Sequence, residues 1–114
     1  MPDAAAQLRG QIRTLQAERR CLESKLMQPQ SMLPASLIER FLRVDGSPRA
    51  TPAYYLSRSM HGGSKLTYVK KEELAVVRQH CGAYRAYQQN LKQWRRVTSA
   101  LQQRWRQLRQ AQSQ

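Results

Sequence analysis

Cys21, Cys81, His61 and His80 are the side chains with metal-ligand chemistry, and no two of them have the close pair spacing that zinc sites use. His80 and Cys81 are adjacent; on a helix, neighbours point about 100° apart, so they cannot act as a nucleophile and its base. Ser57, Ser59 and Ser64 have only His61 within reach as a base. Seven scattered acids form no paired carboxylates for acid–base or metal-assisted work, and "HGGSK" lacks the spacing of a phosphate loop. These patterns predict a chain that is not an enzyme, holds no metal and needs no cofactor. The two cysteines then read as free thiols rather than a disulfide framework.

The chemistry that remains is cationic. Twenty Lys and Arg against seven Asp and Glu give a net charge of +13. The excess grows along the chain, from +2 over residues 1–35 to +5 over 36–71 and +6 over 72–114. After Glu73 there is no acid, while Arg78, Arg85, Lys92, Arg95, Arg96, Arg104, Arg106 and Arg109 follow. A solvated helix ordinarily mixes both signs, since pairs one turn apart stabilise it. A helix of one sign repels itself, and a polyanion relieves that repulsion.

The cations fall on three elements. Residues 3–28 read as a helix, with Ala5, Leu8, Ile12, Leu15, Leu22 and Leu26 in a heptad seam and Arg19 in one seam slot. Asp3 caps its start, and Pro29 and Pro34 close it. Residues 71–111 read as a longer helix of about 60 Å, with Glu72 and Glu73 in the first turn. Its stripe runs Leu74, Val77, Cys81, Tyr84, then Tyr87, Leu91, Trp94, Thr98, Leu101, Trp105 and Leu108. Two successive three-residue steps at Tyr84 and Tyr87 shift the seam like a stammer, beside Gly82.

Between the helices lies a small β region, 36–70. "SLIERFLRV" (36–44) reads as a short strand, "VDGSPRATP" (44–52) as a loop, and "AYYLSRSM" and "KLTYVK" as hairpin arms about the turn "HGGS". If the apolar side chains choose the register, Tyr54, Leu56, Met60, Leu66 and Tyr68 share one face, and Tyr55, Ser57, Ser59, Lys65, Thr67 and Val69 the other.

The fold class this implies is α+β within a single domain, 1–114: an antiparallel long-helix hairpin, a coiled coil, with a small antiparallel β-sheet at the tip. Pairing Gln28 with Lys71 sets residue 3 opposite roughly residue 96, so Leu101, Trp105 and Leu108 overhang as a stripe for a protein partner or homo-oligomer.

A two-stranded ribbon fits the DNA major groove, and long Arg ladders suit phosphates. The nucleic-acid contacts expected are therefore Arg40, Arg43, Arg49, Arg58, His61, Lys65, Lys70 and Lys71 around the hairpin, and Arg85, Lys92, Arg95 and Arg96 on the second helix. The expected ligand is nucleic acid, DNA ahead of RNA. The alternative is an adaptor whose basic surface meets an acidic protein. The start "MPDAAAQLRG" lacks the apolar core of a signal peptide and no run spans a bilayer, so a cytoplasmic protein making no membrane contact is expected.

The order helix, "SLIER", Pro-containing loop, "PAYYLSR", "YVKKEEL" and "YR" resembles a family of small uncharacterised prokaryotic proteins, a domain of unknown function. Its members have a G-P-Y-Y-x-L-S-R-like strand and a second strand ending in Y-V-P-K-E, between coiled-coil helices, and are often encoded near mobile elements. The resemblance covers about residues 35–90, matching at Tyr54, Tyr55, Leu56, Ser57, Arg58, Tyr68, Val69, Lys71 and Glu72. It implies the helix–sheet–helix architecture and an accessory role in a mobile-element or DNA-processing complex. The family's cysteine cluster is replaced here by "VDGSPRA", so no metal or redox role carries over.

Overall fold

The computed structural model describes residues 3–41, 43–44, 46–48 and 52–113, with Arg43, Val44, Ser47 and Pro48 described by their backbone alone. The chain is α+β. Helix α1 spans Ala4–Leu26 and helix α2 spans Leu74–Gln112, entered through a 3-10 turn at Lys71–Glu73. Between them lie β1 (Ser36–Arg40), β2 (Arg43–Val44), β3 (Ser47–Pro48), β4 (Ala53–Met60) and β5 (Gly63–Tyr68). β1, β4 and β5 form an antiparallel sheet in the order β1-β4-β5, and β2 and β3 pair as a separate two-residue ladder. The strand expected over 36–44 therefore stops at Arg40 and resumes at Arg43. The loop expected over 44–52 lies partly outside the described residues.

Contacts divide the chain into two units, Met1–Pro29 with Tyr87–Gln114, and Gln30–Ala86. The division falls at Ala86, between Tyr84 and Tyr87, where the apolar seam of α2 shifts phase. A helix must re-phase its stripe when its packing partner changes, and the two three-residue steps do that.

In the first unit, α1 and the later part of α2 form an antiparallel helical hairpin. Asp3 caps α1, its carboxylate accepting from the Ala6 N–H at 2.6 Å. Ile12 and Leu22 are buried with Val97, Leu101 and Leu108, and Ala5, Leu8, Leu15 and Trp94 pack around them. Arg19, half-buried in its seam slot, lies 5.0 Å from the Trp94 ring centroid and 3.6 Å from Glu23. The cation thus covers an aromatic face instead of breaking the seam. Two hydrogen bonds set the pairing: Arg9 donates to Gln112 at 2.8 Å, and Gln93 to Glu18 at 3.3 Å.

This pairing corrects the expected overhang. Leu101 and Leu108 are 4% and 7% exposed, covered by α1, and cannot form an outward stripe. Trp105 alone stays out, at 50%. The cause is the use of residues 74–86 of α2 by the second unit, which leaves the later turns to meet α1. The seam also passes through Arg104 rather than Trp105, since either residue can follow Leu101 on a helix of 3.6 residues per turn. Arg104 is half-buried and donates to Gln107 at 3.3 Å.

In the second unit, the sheet lies on the first turns of α2. Leu56, Val69 and Cys81 are buried, with Leu33, Ala35, Leu37, Tyr54, Leu74 and Val77 packed against them. The segment before β1 is pinned to α2, the Leu33 N–H donating to the His80 carbonyl at 3.1 Å. The hairpin turn is two residues, His61 and Gly62, with Met60 opposite Gly63. Gly62 has φ +85°, where a side chain is strained.

That turn overrides the face expected from polarity. Arg58 pairs with Lys65, Leu56 with Thr67, and the Val69 N–H donates to the Tyr54 carbonyl. Lys65, Thr67 and Val69 therefore share the helix-side face with Tyr54 and Leu56. Leu66 and Tyr68 lie on the opposite face with Tyr55, and are 40% and 61% exposed. Tyr54, Leu56 and Met60 keep a common face, as expected; β5 is turned over relative to it.

Candidate nucleic-acid interface

β1 covers β4 only up to Ser57, its partner at Ser36. Beyond that point β4 and β5 continue as a two-stranded ribbon: Arg58 opposite Lys65, Ser59 opposite Ser64, and Met60 opposite Gly63. Every residue from Arg58 to Tyr68 is exposed. The ribbon exists because the two-residue turn holds the ladder in register, not because a core covers it. Its Arg58–Lys65 pair sets like charges directly across the strands, an arrangement that costs stability. Among the described residues the one ion pair is Arg19–Glu23 on α1, so no described acid pairs with either cation.

Arg40, His61, Lys70 and Lys71 are likewise exposed in this unit, as is Arg85 on α2. Two cations of this unit lie over aromatic rings, Arg40 5.8 Å from the Tyr55 centroid and Arg78 5.5 Å from that of Tyr54. Arg43 is placed by its backbone in β2, and Arg49 lies outside the described residues. Cys81 is buried beneath the sheet. Burial pushes its thiol above the ordinary value of 9.0, while Arg85 and Arg58 pull it part of the way back. It is a neutral core thiol, and Cys21 is exposed. Among the described residues no three His, Cys, Asp or Glu side chains gather as a metal site.

The first unit has its own cationic row. Lys92, Arg95, Arg96, Arg106 and Arg109 are exposed on α2 at helical spacings, with Ser99, Gln102 and Gln103 between them. From 92 to 109 the row runs about 26 Å. Lys92–Arg95, Lys92–Arg96 and Arg106–Arg109 are like-charge neighbours one turn apart, again destabilising. Arg104, by contrast, turns into the helix pair. Trp94 Nε1, Thr98 Oγ1 and Arg104 Nε are buried there without hydrogen-bond partners.

Sequence reasoning missed the outer face of the sheet, which Ile38, Arg40, Tyr55, Leu66 and Tyr68 share by register. "MHGGS" allows a tight two-residue turn or a longer loop, and the two-residue turn found in the structure sets which side of β5 faces the helix.

No family model, curated protein or solved structure matches the chain. Among the described residues, no helix is long and apolar enough to cross a membrane.

Proposed function

We propose that this chain is a non-catalytic cytoplasmic protein that binds nucleic acid, DNA ahead of RNA, through the β4–β5 ribbon and the exposed cations of α2. The observation behind this reading is the Arg58–Lys65 pair. Two cations directly opposed on a ribbon, neither in an ion pair among the described residues, are a local cost that an anionic ligand would remove. A two-stranded ribbon is narrow enough for the major groove, about 12 Å wide. Arg58, His61 and Lys65, with Ser59 and Ser64, would then face phosphates and base edges. The acid-free row from Lys92 to Arg109 supplies further phosphate contacts. The motif resemblance fits an accessory role beside mobile-element or DNA-processing machinery, with its matching residues concentrated in β4 and the end of β5.

The second reading is an adaptor that meets an acidic protein, or a second copy, through the C-terminal helix. The half-exposed Trp105, beside Arg106 and Arg109, favours it. Titration of the protein with duplex DNA, single strands and RNA against salt separates the two. Nucleic-acid binding requires affinity that falls steeply as salt rises, and absence of binding to any polyanion at low salt sinks it.

A further inference from the structure

The sheet shows inverted amphipathicity. β5 turns Lys65 and Thr67 toward the helix side and sends Leu66 and Tyr68 outward, where they are 40% and 61% exposed. By the cross-strand register, Ile38, Tyr55 and Tyr68 form one row across all three strands, Tyr55 pairing with both. None of these residues belongs to the buried cluster under the sheet. Tyr55 and Tyr68 meet edge to face, with centroids 5.8 Å apart and planes at 70°. Arg40 lies over Tyr55 on the same face. Ser36, Ser57, Ser59 and Ser64 stand on this face too, a set of hydroxyls around the aromatic row.

Tyr68 is exposed and Ile38 and Tyr55 are half-buried beside it, and an aromatic row left open in this way marks a binding surface. The composition says what kind. Arg40 is on the face, Lys70 and Lys71 follow Tyr68 within three residues, and the chain as a whole carries +13. An acidic occupant matches that charge. Two tyrosine rings and a guanidinium plane match π-faces rather than carboxylates alone. A duplex buries its base faces in the stack, and a flat three-stranded surface does not enter a groove as a two-stranded ribbon does. Unpaired bases satisfy both requirements.

We propose that the outer face of the β1-β4-β5 sheet binds single-stranded nucleic acid, with Tyr68 and Tyr55 stacking successive unpaired bases and Arg40, Lys70 and Lys71 neutralising the flanking phosphates. This deepens and rests on the nucleic-acid reading above, but it assigns a different surface from the ribbon and a different strand state. A protein using both surfaces holds a junction between duplex and single strand.

The test compares affinity for a short oligothymidylate and for a hairpin duplex of matched phosphate number, with wild-type protein and Tyr68→Ala. Tyr68 is the informative site because its exposed ring supports no core. The expected result is a tenfold or greater loss of single-strand affinity in Tyr68→Ala, with duplex affinity and salt slope retained. Tyr68→Phe, which keeps the π-face, should retain wild-type single-strand affinity. Unchanged oligothymidylate binding by Tyr68→Ala, with duplex binding intact in wild type, overturns the stacking face and leaves the ribbon reading standing. Failure of wild type to bind either strand overturns both. A change in sedimentation mass for Tyr68→Ala without loss of affinity makes the face a self-association surface and also overturns the proposal.

Discussion

Lys65 separates structural from functional roles because its two effects have opposite signs. Replacing it with Glu puts an acid opposite Arg58, turning a like-charge pair into an attractive one. Lys65→Glu should therefore raise stability slightly, by about 0.2–1 kcal/mol in chemical denaturation, while weakening duplex binding. A purely structural hairpin would show only the first effect. Cys81 gives a second residue-level prediction. Its folded-state thiol lies above the unfolded value, so the stability linked to it is full below about pH 9.0 and falls as pH rises through the folded-state value. Cys81→Ala should flatten that alkaline decline in melting curves. At neutral pH, Cys21 should react promptly with a thiol reagent and Cys81 only on unfolding; two equally fast thiols would contradict the buried position.

The later turns of α2 divide their labour between Leu101 and Trp105. Leu101 lies in the core shared with Ile12 and Leu22, whereas Trp105 is half-exposed. Leu101→Ala should cost about 2–5 kcal/mol of stability, as core truncations do, measured by denaturant titration. Trp105→Ala should cost less and, if the C-terminal helix docks a partner or a second copy, should lower the associated mass in sedimentation. An equal loss of stability for both would mean that Trp105 packs inside the helix pair.

Across the molecule, charge dominates. With +13 and one ion pair among the described residues, the chain carries a large uncompensated positive charge, which the proposed nucleic-acid ligand would neutralise. The logarithm of duplex affinity should fall linearly with the logarithm of salt, and removing one phosphate-contacting cation, such as Arg96→Ala, should reduce the slope by about one. An unchanged slope would assign Arg96 to solvent. Much of the architecture was legible beforehand. The 3.6-residue stripes, the Asp3 cap, the prolines after α1 and the paired glycines announced two helices and a hairpin, because each acts over one turn or less of chain. The seam shift at Tyr84–Tyr87 was visible as well, but that α2 changes partner there came only from the packed structure. Three further matters lay beyond the chain read by itself. The face of β5 was decided by a two-residue turn against the polarity of Leu66 and Tyr68, because strand faces follow register and register follows the turn. The choice of Arg104 over Trp105 for the seam depended on what α1 offered opposite. The covering of Leu101 and Leu108 depended on how many turns of α2 the sheet had already taken. Local periodicity names the elements; only the packed structure decides which of two permitted faces turns inward, because that choice rests on contacts between residues far apart in the chain.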